Sequence, residues 1–531
     1  MRSLRFTWNP SDRPQEKIPR QYVSKWVPHN SNAVTLLLIG ASMITSITLG
    51  YDGSMMNALN ILPSYTDYFS LDTATLALNT ASVWVGGCIS GFFAGQLTDW
   101  VGRRPALLWA ALLTIIGVIL QSAAQNIAMF IAGRIVIGIG TGVSAVAAPT
   151  YLSETTPIEW RAFSLGIFYD FWYVGGLVSA GVTFGTANIL NTWAWRAPSV
   201  LQALPSFFCI AILPFIPESP RWLAYRNRQD EALEVLAVSH AWGDKQDPIV
   251  LTEFAEIVET IRYEKSTGAT VSPLETLRTK GNRYRLLLAL SVAVIQATTG
   301  NNIISFYLGT MLDQAGISNS TQQLQVNIVL SAWCLVLSLI GTAYAERLGR
   351  KWLAIISTAL CVVFIFLVGA FTKLYGTSTN QSGIYATTAM IFLFQGSYSF
   401  GWTPLTVMYP PEVLNYTTRA IGMGMYTFLA NGMGLMVTMA FPFALAAIGW
   451  ETYMINGSFD VLLLLFVIFV WVETKGKSLE EIDVIFDGVK HADVPDVMDV
   501  KRGTVGPKQV QEQVQHDLQS KGIYTLETGE V

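Results

Sequence analysis

GQLTDWVGRRP, residues 95–105, is a short charged turn between two long apolar runs. Its core DWVGRR (99–104) returns as ERLGRK (346–351) in the same setting. Two further echoes follow. Glu154 precedes Arg161 by seven residues and Glu412 precedes Arg419 by seven, while Glu218 in PESPR matches Glu473 in VETKG. Asp99 to Glu346, Glu154 to Glu412 and Glu218 to Glu473 are offsets of 247, 258 and 255 residues. Three near-equal offsets imply a duplicated chain whose halves are related by an axis along a membrane normal, with a central site between them.

Composition says what the halves are made of. Residues AVILMFWYC are 51% of the 531, charged residues only 13%, and mean hydropathy is +0.41. A soluble domain carries about 25% charge. Apart from His29, nothing ionisable lies between Lys25 and Asp52, between Arg104 and Arg134, or between Arg285 and Asp313. Each stretch exceeds the ~20 residues that cross a bilayer. The expected fold is all-α and membrane-embedded, because a lipid-exposed backbone must satisfy its hydrogen bonds internally. Twelve spans are read at 33–62, 76–97, 105–123, 126–152, 162–187, 197–217, 284–312, 322–345, 352–373, 384–410, 418–446 and 455–472.

With the N-terminus inside, thirty of the 33 Lys and Arg fall on the inner side; only Arg196 and Lys373 face out, and Arg134 lies within a span. The positive-inside rule therefore places both termini in the cytoplasm. The polar first 32 residues have no apolar h-region, so no cleavable signal peptide is expected. The expected organisation is a cytoplasmic N-terminus (1–32), a six-helix bundle (33–217), a cytoplasmic linker of short amphipathic helices (218–283), a second six-helix bundle (284–472) and a cytoplasmic tail (473–531). Gly87, Gly91 and Gly95 in span two, with Gly138 and Gly142 in span four, are read as close-packing stripes.

The pattern resembles the major facilitator superfamily and, within it, the sugar porter family, over residues 33–485; GQLTDWVGRRP, PESPRW and VETKGKSLEEI carry the resemblance. It implies two pseudo-symmetric six-helix bundles and a cytoplasmic latch between them, formed by Asp99, Arg103, Glu154, Arg161 and Glu218 in one half and Glu346, Arg350, Glu412, Arg419 and Glu473 in the other. The plainer alternative is topology signals at helix ends, but acidic residues contribute little to orientation.

Three ionisable residues are read inside spans, where each costs at least ~2.5–3.5 kcal/mol if unpaired. Asp52 in LGYDGSMMNAL and Arg134 in GRIVIGIGTG come out at similar depth, about 15 Å and about 12 Å from the outer ends of their spans at helical rise. Ionised Asp52 would be stabilised by Arg134, and a proton on Asp52 would cancel that attraction. This is a proton switch, with a static ion pair as the alternative. The resemblance also implies coupling, since proton-coupled sugar porters have Asp at this place. Asp170 in IFYDFWYVGG departs from the family's polar amide, and is either a sugar contact or a protonated group in a dry contact.

Span seven, IQATTGNNIISFYL, carries a Gly300-Asn301-Asn302 break where the backbone can unwind. Carboxamides donate and accept, which suits sugar hydroxyls. Expected sugar contacts are Gln296, Asn301, Asn302 and Tyr307 in this span, Tyr169 and Asp170 in span five, Trp402 in span ten and Asn431 in span eleven. Pro404, Pro410 and Pro411 are expected to break or bend span ten into a gate. Against the family's Gln-Gln pair, Ala297 replaces the second glutamine. That vacancy, with YDGSMMNAL and GNNIISFYL, is similar to the fungal lactose and cellodextrin permease branch, and implies room for a second ring.

The expectation is a multi-pass plasma-membrane symporter for a lactose- or cellobiose-like sugar, working as a monomer with protons as its coupling ion. A hexose or pentose carrier and a sugar sensor on the same scaffold are the alternatives. No metal, other cofactor or nucleic-acid partner is expected: the formal charge is −4 with pI near 5.7, and Cys88, Cys209, Cys334 and Cys361 lack metal-ligand spacing. Nor is an enzyme, since no nucleotide-binding glycine loop or nucleophile–base arrangement appears.

Overall fold

The computed structural model describes residues 21–266, 279–378, 380–414, 416–475 and 485–486, and among these the regular elements are helices. In chain order they are α1 (Ser31–Ile61), α2 (Pro63–Thr66), α3 (Thr73–Val101), α4 (Arg103–Ser122), α5 (Ile127–Thr155), α6 (Ile158–Thr186), α7 (Trp193–Leu201), α8 (Ala203–Ile212), α9 (Pro220–Tyr225), α10 (Gln229–His240), α11 (Pro248–Ser266), α12 (Lys280–Thr298), α13 (Asn301–Gln314), α14 (Ser320–Leu348), α15 (Arg350–Tyr375), α16 (Gln381–Val413), α17 (Tyr416–Ile448) and α18 (Glu451–Val470). Eleven segments are long and apolar enough to cross a membrane, with α7–α8 and α12–α13 each acting as one. Helix α16, 33 residues long and interrupted by polar QGSYS, is the twelfth crossing.

The duplicated turn shows why its residues repeat. Gly102 (φ 101°) and Gly349 (φ 91°) end α3 and α14 in a backbone conformation that favours glycine. Helices α4 and α15 begin at once, leaving free N–H groups. The Glu218 carboxylate accepts from Arg103 N (3.0 Å) and Arg104 N, and Glu473 accepts from Arg350 N (2.8 Å) and Lys351 N. A carboxylate at a helix N-terminus satisfies orphan donors and the helix dipole together. A Cβ on either glycine would collide with that carboxylate.

Helices α1 and α3–α8 form one bundle and α12–α18 the other. They meet along two seams, α3 against α17 and α6 against α14, with α1 also touching α13. The glycine stripe divides its work. Gly86 and Gly138 bring α3 and α5 together inside the first bundle, whereas Gly87 and Gly91 face Asn431 and Phe428 of α17 across the seam. Gly95 faces open space. Helix α16 runs unbroken through Pro404, Pro410 and Pro411. Tyr409 stacks on Trp471 at 4.1 Å and Trp402 packs edge-on against the same ring, which pins this half of α16 where a break was expected.

The linker helices α9–α11 build a small core of their own and are strapped to the first bundle on what we call the linker side. Glu234 accepts from the backbone N–H groups of Gln21, Tyr22 and Val23 and pairs with Lys245 at 3.0 Å. Ser31 at the start of α1 donates to the Val238 carbonyl at 2.7 Å. Glu253 in α11 is gripped by Arg161 of α6 at 3.0 Å and by His240 Nδ1 at 3.1 Å.

Burial pushes the Glu253 carboxyl up, but His240 and Arg161 outweigh it and hold it below the ordinary carboxylate range. A depressed folded value means that docking gains stability above the ordinary range and loses it as pH falls through the lowered one. Glu253→Gln should therefore loosen the linker by about 1–3 kcal/mol at neutral pH, read as faster hydrogen exchange in α10 and α11. The wild type should match the variant only in strong acid.

Candidate functional site

An ion pair lies at membrane depth inside the first bundle. Arg134 Nη1 meets Asp52 Oδ1 at 3.1 Å, with Asp52 3% and Arg134 0% exposed. Gln202 Nε2 also donates to Asp52 Oδ1 at 2.7 Å, and its own oxygen accepts from Gln121. Arg134 Nε donates to the Asn79 carbonyl at 3.1 Å while Nη2 has no partner. The contact is single-pronged, so one proton on Asp52 removes its electrostatic part and leaves Arg134 held by Asn79. Gln202 and Asn79 carry no charge and lie outside the motif that exposes Asp52, which is why sequence reading missed them.

Between the bundles, span seven breaks at Thr299–Gly300, with Gly300 at φ 84°. Asn302 turns back to donate to the Ala297 carbonyl at 3.0 Å, closing the broken turn. Asn301 Oδ1 accepts from Gln395 of α16 at 2.6 Å and from Ser305. Gln296 sits among tyrosines: its carbonyl accepts from Tyr398 at 3.1 Å and its side-chain oxygen from Tyr426 at 3.4 Å. Tyr169 lies in the same cluster, and Tyr173 beside it reaches Ser399 of the other bundle at 2.7 Å. Gln395 Oε1 and Trp84 Nε1, both buried, are without hydrogen-bond partners. Gln395 and Tyr398, three apart in α16, were the legible signal that went unread.

Several expected contacts belong elsewhere. Trp402 is fully buried inside the second bundle, its indole N–H on Thr358 at 3.1 Å and its ring against Trp471, so it contacts no ligand cavity. Counting helical turns put it on the right helix and the wrong face. Asn431 bonds back to the Thr427 carbonyl and fills the seam opposite Gly87. Asp170 is 0% exposed against α14. A third intramembrane acid, Asp460 in α18, was overlooked. It accepts from Asn456 at 3.0 Å, and Asn456 stands against Gly300.

The side opposite the linker, the far side, is closed by α1 and α13. Tyr307 leaves helical geometry (φ −131°, ψ 30°). The neighbouring Leu308 N–H is accepted by Asn57 Oδ1 at 3.1 Å, and the Phe306 carbonyl takes the Asn60 amide at 3.4 Å. Asn57 also donates to Asn327 of α14 at 3.1 Å, and the Tyr307 hydroxyl donates to the Thr438 carbonyl. Tyr307 is thus a kink in the closure, 2% exposed. Beyond it lies a cavity of about 230 Å³ that includes Asn60, Phe306, Thr310, Asp313 and Gln323 in its lining.

Of the charges expected to latch one bundle to the other, Asp99, Arg103, Glu154, Arg350 and Glu412 pair within their own bundles. Arg103 holds Glu154 at 2.8 Å and Asp99 at 3.1 Å; Arg350 holds Glu412 at 2.7 Å. Glu218 and Glu473 cap helices as above, and Arg161 goes to the linker. The side chains of Glu346 and Arg419 lie outside the described residues.

Two duplicated six-helix bundles, facing amides and tyrosines across a central break and closed on one side, define a two-bundle membrane carrier. The family "Sugar (and other) transporter" matches residues 38–486. A high-affinity glucose transporter of Kluyveromyces lactis is 30% identical over 481 residues, covering 86% of each chain. The MFS-type transporter criB of Aspergillus cristatus is 29% identical over 449 residues, 84% of this chain and 91% of that one. Among solved structures, the proton:xylose symporter XylE bound to 6-bromo-6-deoxy-D-glucose superposes with a TM-score of 0.73 at 21% identity, covering 86% of this chain and 100% of that one. The inward-open form of XylE from E. coli gives 0.68. The chain belongs to the sugar porter family of the major facilitator superfamily. It is a multi-pass membrane sugar transporter, not an enzyme.

Removing either asparagine strap should open the far side. Asn57→Ala and Asn60→Ala each free a buried backbone group, a cost of about 1–3 kcal/mol to the closed form. Thiol labelling of a cysteine placed at Ser305, half-buried on the site side of the kink, should then run roughly five- to hundredfold faster than in the same background with both asparagines intact.

Proposed function

We propose that the chain imports sugar together with protons by alternating access, with Asp52 as the proton carrier. The observation that carries this reading is the dry, single-pronged Asp52–Arg134 contact, whose strength changes with one proton. A buried ion pair that served only to join helices α1 and α5 would gain little over apolar packing. Protonation would release Arg134 from Asp52, and sugar bound at the Gln296, Asn301, Gln395 and tyrosine cluster would then cross as the bundles rock about their seams.

The linker side is assigned to the cytoplasm and the membrane to the plasma membrane. The charge bias of the sequence and the docking of α9–α11 under the first bundle support this orientation. For the sugar, the amide–tyrosine cluster suits a hexose or pentose, in keeping with the glucose transporters among its relatives. A disaccharide is the second reading, favoured by the small Ala297 beside Gln296.

Two substitutions test this. A one-unit pH gradient stores about 1.4 kcal/mol per proton, so one-to-one coupling accumulates sugar about tenfold. Asp52→Asn should remove that accumulation while exchange of labelled for unlabelled sugar continues; retained, protonophore-sensitive accumulation would falsify the coupling. Ala297→Gln should depress cellobiose or lactose uptake more than glucose or xylose uptake if the second reading holds, by about 1–3 kcal/mol in relative specificity. Equal loss for both sugar classes at matched expression decides for the monosaccharide.

A further inference from the structure

Among the described residues, Asp170 is a charged-type side chain in the α6–α14 seam that the transport reading leaves without work. It is 0% exposed, and both carboxylate oxygens lack a hydrogen-bond partner. The groups that bear on it are the Ser338 and Thr342 hydroxyls of α14, in the other bundle. Ser338 already donates to the Leu335 carbonyl, and Thr342 Oγ1 has no partner. Helices pack closely here, since a Cβ on Gly166, one turn before Asp170, would meet the Thr342 methyl at 2.6 Å.

No cation is available to an ionised Asp170 among the described residues. Arg134 of α5 is held by Asp52 and Asn79. Arg196 of α7 donates to the Ser122 and Ala124 carbonyls, and Arg161, at the other end of α6, pairs with Glu253. Glu154 of α5 pairs with Arg103. The remaining titratable groups around this stretch are neutral in kind: Tyr51 of α1, which donates to the Pro198 carbonyl, Cys334 of α14, Tyr169 and Tyr173 of α6 and Tyr398 of α16, while Arg347 at the end of α14 is exposed and lies over the Tyr344 ring. A bare carboxylate sealed in a bundle seam is prohibitively expensive, whereas a carboxylic acid there has one O–H to donate and one hydroxyl oxygen waiting for it.

We propose that Asp170 is a second proton-binding site, protonated while the α6–α14 seam is closed, with its O–H donating to Thr342 Oγ1, and ionised only when the seam admits water. One proton from solvent joins one carboxylate oxygen, and no other bond changes. The closed seam is then favoured at low pH and lost as pH rises, opposite in sign to a salt-bridged acid. The site rests on the reading of the chain as a two-bundle carrier and is independent of coupling at Asp52.

The test reads the seam directly and needs no sugar. Spin labels carried by keto amino acids replace Phe163 and Tyr344, exposed at 43% and 44% beside the contact. Their separation is measured in the full-length protein in lipid vesicles between pH 5 and pH 9. The expected result is a longer-distance population growing with pH in the wild type, absent in Asp170→Asn and retained in Asp52→Asn. Thr342→Val, close in volume to threonine, removes the acceptor and should move the midpoint to lower pH; it decides the matter should Asp170→Asn fail to fold. A pH response in Asp170→Asn equal to that of the wild type, no response in the wild type, loss of the response in Asp52→Asn, or an unmoved midpoint in Thr342→Val each overturns the proposal. Failure of accumulation in Asp52→Asn bears only on the coupling reading.

Discussion

At the Gly102 and Gly349 turns, the Gly300 break and the Tyr307 kink, a polar side chain serves the backbone where it leaves the helix. Lipid and packed side chains offer a freed N–H or C=O nothing, so the protein must supply the partner itself. Glu218 and Glu473 do so at the Gly102 and Gly349 turns. Asn302 does so at the Gly300 break, and Asn57 and Asn60 do so from another helix at the Tyr307 kink. The first two sets serve folding, since donor and acceptor belong to one bundle. The last set joins two bundles, so satisfying the backbone and closing the far side become the same event.

The buried acids divide along the same line. Asp52 has a cation and an amide, and its site lies wholly within the first bundle. Asp460 has an amide in its own helix that abuts the Gly300 break. Asp170 has neither, and faces the partner bundle. An acid whose partners are fixed within a bundle keeps its environment as the bundles rock. An acid in the seam does not, so its protonation and the seam's closure are linked by necessity.

Linker and bundle ends are joined asymmetrically. The linker-side charges of each half close on their own half, and Arg161 leaves the repeat pattern to join α11. Its counterpart spacing in the second half, Glu412 to Arg419, has Glu412 paired with Arg350. The duplication therefore preserves the helix caps, where geometry is local, while Arg161 serves the linker docked on the first bundle.

The sequence by itself determined the twelve-span architecture, the duplication, the family and the depth match of Asp52 with Arg134. All of these are set by hydrophobic length, charge spacing and one-dimensional periodicity, which survive without coordinates. It also placed the break at Gly300, because Gly-Asn-Asn inside an apolar run has few other uses. Tertiary structure alone decided which face each polar side chain occupies. Trp402 and Asn431 were legible as residues but not as contacts, since a rotation of a helix by one position turns a cavity residue into a packing residue. Gln202, Asn57 and Asn60 carry no charge and no motif, so nothing in the chain marks them until a second helix is beside them. The loop charges make the same point: spacing tells which of them repeat, and only the structure shows that Arg103 meets Glu154 and Arg350 meets Glu412.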